Sequence, residues 1–364
     1  MNRRDSDHRP RGTGALVIKD EDSDATAAKL EAVLGICQRP GRILVLMQDN
    51  PDPDALASAA ALRDLVYLRL KKRLTIGYGG TCGRAENRAM MAVLRIDARR
   101  LTLAQLPRYK TICLVDAQPN AGNNILVPSR PPEIVIDHHL LPKKRTWIAE
   151  FADVRPGYGA TSTILYEYLL AGGVKLSANL ATALFYGIQS DTQDLGREAG
   201  LADVRAYRDL FLLADKKKLA HIHRAPVPAD YFKMLGAGID HCVVAGSTVI
   251  SYIPACHNVD MIAEVADFLI RLEGMRTAVC YAVYEDKIHL SARAVDARGN
   301  VARRMKQVVS RLGTGGGHRA MAGGQVAIEG DVERRLAFVH ARILKSFAPN
   351  KEPVPLTPPF ADTY

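Results

Sequence analysis

RILVLMQDNPDPDALASAAALRDL, residues 42–65, decides the fold. After Arg42, residues 43–47 form an unbroken apolar run, which fits a strand buried on both faces of a parallel sheet. A polar turn with two prolines follows at 49–53, and an Ala- and Leu-rich stretch at helical spacing then predicts a long helix over 55–74. The same grammar extends outward on both sides. A helix is expected over 27–37, a short strand over 74–77 and a helix over 86–94. TICLV (111–115) and EIVI (133–136) are further apolar runs, and helices are expected over 161–170 and 178–188. Strands alternating with helices imply an α/β, Rossmann-like domain built on a parallel sheet.

The pattern changes between about 215 and 230, where Lys216, Lys217 and Lys218 precede two prolines. The lysine run reads as a solvated helix face, and the domain connection is placed at 215–240. Beyond it, hairpin-like segments are expected at 247–253, 277–284 and 287–294, a helix at 300–312, a glycine-rich loop, a segment at 324–328 and a last helix at 331–347. This describes a second, smaller α+β domain. The chain thus divides into a disordered polar segment (1–25), a metal-binding domain (26–214), the connection (215–240), a substrate-binding domain (241–347) and a loose Pro-rich tail (348–364).

A length of 364 residues suits two domains. The formal net charge of +10 favours anionic partners, though a solvated basic surface would show the same excess. With 6% aromatic residues the chain is poorly equipped to stack single-stranded bases on rings. Its six cysteines include no C-x-x-C pair, which argues against a disulfide framework or a zinc ribbon; Cys113 and Cys280 read as small buried hydrophobes. The first 24 residues hold no apolar core of signal-peptide type, and no run approaches the roughly 18 apolar residues of a membrane span. A cytoplasmic protein without a membrane partner is expected.

Acidic residues gather where the apolar strands stop. RILVLM leads into Gln48, Asp49, Asn50, Pro51, Asp52, Pro53 and Asp54; TICLV leads into Asp116; EIVI leads into Asp137, His138 and His139. The carboxyl ends of parallel strands line the ligand crevice of an open sheet, so three strands deliver carboxylates and imidazoles to one edge. Taken singly, Asp52 and Asp54 are turn and N-cap residues, Asp116 and Asp137 cap loops, and a His pair proves little. Taken together they indicate a metal site, because crowded carboxylates repel one another unless cations sit among them. Hard oxygens with imidazole suit Mn²⁺ or Mg²⁺, and two such ions can assist phosphate hydrolysis. In the second half, Gly315, Gly316, Gly317 and His318 offer a backbone-amide anion cradle, followed by Arg319. His221 with His223, His241 with Cys242, and Cys256 with His257 read as ordinary surface or core residues.

NPDPDALAS, LVDAQP, VIDHH and GIQSDT, in that order, resemble the four motifs of the DHH phosphoesterases, and GTGGGHRAMAGG resembles the signature of their DHH-associated C-terminal domain. The resemblance covers residues 40–345. It implies that Asp52, Asp54 and Asp191 bind metal, that Asp116 bridges two ions, that His138 binds the second and that His139 faces the phosphate. Asp137 would orient the histidines. Ser291 and Arg293 match a Ser-x-Arg substrate element, Arg293 gripping a phosphate in bidentate fashion. Most relatives carry histidine where this chain has Gln48, which implies a neutral amide oxygen at the first metal and, there, looser binding, a harder ion such as Mg²⁺, or binding only with substrate. The implied activity is that of nano-RNases that also dephosphorylate 3′-phosphoadenosine 5′-phosphate, with a short oligonucleotide or nucleotide as substrate and two Mn²⁺ or Mg²⁺ ions as cofactors. No additional oligonucleotide-binding barrel is visible, which points away from processive exonucleases of the family. A dinucleotide phosphodiesterase, cyclic or linear, and a non-catalytic nucleotide-binding regulator stay open as alternatives, as does a homodimer.

Overall fold

The computed structural model describes residues 23–140, 148–317 and 319–356. Its first half is built from α1 (Ser23–Cys37), β1 (Ile43–Leu46), α2 (Pro53–Leu70), β2 (Leu74–Tyr78), α3 (Ala85–Leu94), β3 (Ala98–Arg100), β4 (Thr111–Val115), β5 (Ile134–Asp137), β6 (Phe151–Val154), α4 (Thr161–Ala171), α5 (Ala178–Thr192), α6 (Leu201–Leu213) and α7 (Lys216–His223). Six strands pair in parallel in the order β3-β2-β1-β4-β5-β6. The apolar runs are the central strands: every residue of β1, β4 and β5 is buried. One sheet face packs Val45, Cys113 and Ile136 under Leu56, Leu62, Ile164 and Leu184 of α2, α4 and α5. The other packs Leu44, Leu114 and Val135 under Leu101, Leu106 and Leu126 from loops and a short 3₁₀ turn.

The strand order reverses between β1 and β4. At such a switch point the two following connections leave in opposite directions and open a crevice beyond the strand ends. α2 starts there because Asp52 caps it and Pro53 at its first position has no N–H to leave unsatisfied. It stops at Leu70, short of the expected 74, because Lys71 takes a left-handed conformation (φ 57°) and Leu74 is drawn into β2.

The second half comprises α8 (Ala229–Asp240), β7 (Cys242–Ala245), β8 (Thr248–Ile253), α9 (Asp260–Leu269), β9 (Thr277–Tyr284), β10 (Lys287–Ala294), α10 (Val301–Val309), β11 (Gly313–Gly317), β12 (Met321–Ala327), α11 (Val332–Phe347) and β13 (Val354–Pro355). These strands form one sheet in the order β11-β12-β10-β9-β8-β7-β13, antiparallel except for the parallel β8–β9 pair that α9 connects. Met234, Met261, Ile262 and Val265 from α8 and α9 cover one face; Val301, Met305, Val308, Val339 and Ile343 from α10 and α11 cover the other. The α/β architecture with a second, smaller mixed domain is as the sequence indicates.

Three expectations are corrected. The connection at 215–240 is largely helical: α7 packs on α3 and α5 of the first domain, α8 packs on β8 and α9 of the second, and the break lies at 224–228. The tail beyond 348 is not loose throughout, since Val354 and Pro355 pair with Val244 and Val243, and Leu356 N–H donates to Cys242 at 2.9 Å. The glycine-rich loop is an edge strand over 313–317: β11 pairs along its length with β12. Residues 1–22 of the expected N-terminal segment, 357–364 of the tail and His318 lie outside the described residues. Among the described residues no helix is long and apolar enough to cross a membrane.

Candidate metal centre

The β1–α2 turn is fixed by its own carboxylates. Asp52 accepts from Ala55 N at 2.9 Å as the N-cap of α2, and its other oxygen accepts from Gln48 Nε2 at 2.9 Å. Asp54, 1% exposed, turns the other way and caps a different helix. α4 has Ala160 at its N-cap position, with no side-chain cap of its own. The two oxygens of Asp54 accept instead from Thr161 N at 2.7 Å and Ser162 N at 2.8 Å. A carboxylate at exposed helix-terminal amides is stabilised by the hydrogen bonds and by the positive end of the helix.

Asp116 follows β4 in a left-handed conformation (φ 52°), is 2% exposed, and accepts from Thr161 Oγ1 at 3.0 Å. Asp137, at the end of β5, is fully buried and accepts from His139 Nδ1 at 2.8 Å and Gln118 Nε2 at 2.7 Å. His138 donates Nδ1–H to the carbonyl of Tyr158 at 3.1 Å, which fixes its tautomer and presents Nε2 to Asp191 Oδ2 at 3.0 Å and Asp116 Oδ1 at 3.6 Å. Asp191 comes from the last turn of α5, the helix end expected from the sequence.

These placements create two overlapping sets of potential ligand atoms, each within 4.8 Å of one another: Asp116, His138 and His139, and Asp54, His138 and Asp191. His138 belongs to both. Asp52 falls outside both sets, and Gln48 turns its amide nitrogen, not its oxygen, towards Asp52. Asp137 lies behind His139 rather than among the ligand atoms.

The electrostatics show what the site lacks. Burial, reinforced by Asp54, Asp52, Asp191 and Asp137, drives the Asp116 carboxyl well above its usual range. Burial and the charge of Asp191 push Asp54 up to about 6. His138 is pulled the other way: burial opposes its charge, but the hydrogen bond to Asp191 and the charges of Asp191, Asp54 and Asp137 outweigh it, raising it to about 10. Carboxylates driven to protonate beside an imidazole driven to hold its proton mark a site short of positive charge. Oxygen donors with imidazole nitrogen fit a divalent cation of the Mn²⁺ or Mg²⁺ kind.

In the second domain, Ser291 and Arg293 share a face of β10, and Arg293 donates to Ser291 Oγ at 2.9 Å. Its Nε and second terminal nitrogen meet Asp267 of α9, which also takes Arg84 of the first domain at 3.1 Å. Nearby, Gly83 N donates to Asp260 at 2.7 Å, and Asn258 Nδ2 donates to Gly83 O at 3.1 Å. The glycines do separate jobs. A Cβ at Gly315 or Gly324 would crowd Met305 and Val309 of α10, whereas nothing lies within 4 Å of where one would stand at Gly316. Gly317 needs its glycine for backbone conformation as well, at φ 133°. Residues that sequence reasoning missed are Thr161, Gln118, Tyr158, Asp267 and Arg84, which act through hydrogen bonds and ion pairs between segments distant in sequence.

Carboxylates and imidazoles gathered at the switch point of a parallel sheet, with a second domain that carries an arginine and a glycine ribbon, define a two-domain protein with a cluster able to hold a divalent cation. The model of the DHH family N-terminal domain matches residues 42–188 and that of the DHHA1 domain matches residues 246–345. The chain belongs to the DHH family and carries a DHHA1 domain. The uncharacterized protein MJ1633 of Methanocaldococcus jannaschii is 34% identical over 292 residues, 80% of this chain; the chain spans 59% of that relative's length. The crystal structure of an exopolyphosphatase-related protein from Bacteroides fragilis shares the fold, with a TM-score of 0.67 over 87% of this chain and 96% of that one at 15% identity.

Proposed function

We propose that the protein is a divalent-metal-dependent phosphoesterase acting on short oligonucleotides or small nucleotides. The observation that supports this most is the pair of ligand sets sharing His138, set in a site whose carboxylates and imidazoles call for added positive charge. A divalent cation held there would activate water and offset charge on the phosphoryl group. Asp137 keeps His139 protonated more strongly than usual: burial opposes the charge, but the hydrogen bond and charge of Asp137 outweigh it. With Nδ1–H given to Asp137 and the ring protonated, His139 would serve a phosphoryl oxygen rather than the cation, leaving Asp116 and His138 as the metal ligands of its set. Arg293, its guanidinium engaged by Asp267 and Ser291, would have to exchange part of that pairing to grip a phosphate. The first-domain loop that carries Gly83 and Arg84 is tied to α9, which links the domain of the carboxylates to the domain of Arg293.

The test is a panel of dinucleotides, cyclic dinucleotides, short RNA and DNA, and 3′-phosphoadenosine 5′-phosphate, with Mn²⁺ or Mg²⁺. Turnover of at least one, abolished by chelation and lowered at least about a thousandfold in Asp116→Asn, is expected, since Asp116 is the carboxylate of one ligand set and lies 3.6 Å from His138, which belongs to both. Tight binding of a nucleotide without turnover of any panel member would replace the enzyme by a nucleotide-binding protein.

A further inference from the structure

The turn after α5 is wound against its sequence. Gln193, Asp194 and Leu195 lie at φ 49°, 55° and 65°, and Glu198 at 49°, in a region that residues with a Cβ avoid. Such strain persists where the surroundings over-determine it, and it is common at functional sites. The restraints are explicit. Thr192 Oγ1 accepts from Leu195 N at 3.0 Å, and Thr192 O accepts from Arg197 N at 2.8 Å. Asp194 N donates to Gln189 O at 2.9 Å, and the Asp194 carboxylate takes Gln189 Nε2 at 2.7 Å and Tyr207 OH at 2.9 Å.

The result is that the chain doubles back and lays Arg197 over the end of α5. One terminal nitrogen donates to the Asp191 carbonyl and lies 3.4 Å from its carboxylate; the other reaches across to the second domain, 3.0 Å from Met321 Sδ. Met321 stands opposite Arg293 in the β10–β12 register. Arg197 therefore sits where the metal cluster, the strand of Arg293 and the glycine ribbon converge, with its side chain only 17% exposed. A thioether is a weak acceptor, a poor match for a guanidinium edge that makes strong paired bonds to oxyanions.

We propose that Arg197 is a phosphate-binding residue of the cleft, exchanging Met321 sulfur for a phosphoryl oxygen while its other edge stays on Asp191. The proposal rests on the phosphoesterase reading for its substrate, a phosphate ester, but not for its test. The competing role is purely positional, Arg197 serving only to hold Asp191. In the full chain loaded with Mn²⁺, Arg197→Ala and Arg197→Lys are compared with wild type for Mn²⁺ affinity and inorganic phosphate affinity by calorimetry, and for kcat and KM on bis(4-nitrophenyl) phosphate. Arg197→Ala should weaken phosphate binding by about 10- to 100-fold, the worth of a charge-assisted hydrogen bond, with Mn²⁺ affinity nearly unchanged. Arg197→Lys should fall between, and added guanidinium should restore part of the loss in Arg197→Ala. Unchanged phosphate affinity, or Mn²⁺ affinity falling in step with it, overturns the proposal. If wild type binds phosphate through Arg197 yet turns over no ester, the phosphoesterase reading fails while the assignment of Arg197 stands.

Discussion

Two residues beyond β1, Gln48 gives its amide hydrogen to Asp52, whose other oxygen is committed to capping α2. Asp52 is thereby held from both sides, and its carboxyl is raised by burial and by the charge of Asp191. An amide donor restrains a carboxylate but adds no charge and no soft nitrogen ligand. An imidazole in the same place could bond Asp52 through one nitrogen and offer the other to a metal. Gln48→His should therefore raise Mn²⁺ affinity about tenfold, with a smaller change for Mg²⁺, which prefers oxygen. Calorimetric titration of both proteins with both ions decides it; equal Mn²⁺ affinities would place Gln48 away from the metal.

At the scale of elements, β1, α2, β4 and β5 were legible because each strand carries three or four consecutive buried apolar residues and the helix has an Ala- and Leu-rich body behind an Asp-Pro start. The same rule exposed the strand-end residues Asp54, Asp116 and His138. The edge strands β3 (ARR) and β6 (FADV) are too short and too polar to show a period, and α9 went unread although it alternates apolar and acidic residues at helical spacing. Tyr158 contributes a backbone carbonyl, so no residue type could announce it. The sequence of β11 reads as a loop because glycine carries no side-chain pattern; its strand character comes from pairing with β12 and from α10 lying close above it. That closeness is testable. A Cβ at Gly324 would stand 2.8 Å from Met305 Sδ and 2.9 Å from Val309 Cγ1, so Gly324→Val must push α10 outward. It should cost about 1–3 kcal/mol in denaturant unfolding, as overpacking does, while Gly316→Ala, with open space around it, should cost far less. Equal stability of the two variants would show that α10 does not depend on the glycine ribbon.

Across the whole molecule the domains meet over α9, and a single carboxylate there serves both. Asp267 takes Arg293 of its own domain and Arg84 of the other; burial works to raise its carboxyl, but the two guanidiniums hold it below the usual range. Its side chain is 40% exposed, so each pair contributes only about 0–1 kcal/mol, too little to decide whether either domain folds. What it can decide is how the domains sit and how Arg293 points. Without the carboxylate two like charges face each other across the junction, and Arg293 keeps Ser291 Oγ and the carbonyl of Ala292 as its hydrogen-bond partners among the described residues. Asp267→Ala should leave the unfolding of each domain and the Mn²⁺ affinity nearly unchanged, because its contacts are with the two arginines rather than the metal cluster. It should enlarge the radius of gyration measured by small-angle scattering and, on the proposed phosphoesterase reading with Arg293 as a substrate contact, raise KM for a phosphate ester more than it lowers kcat. Glu at the same position should restore both the compaction and KM in part. Unchanged scattering together with unchanged KM would reduce the Arg84–Asp267–Arg293 bridge to a surface contact without consequence for the cleft.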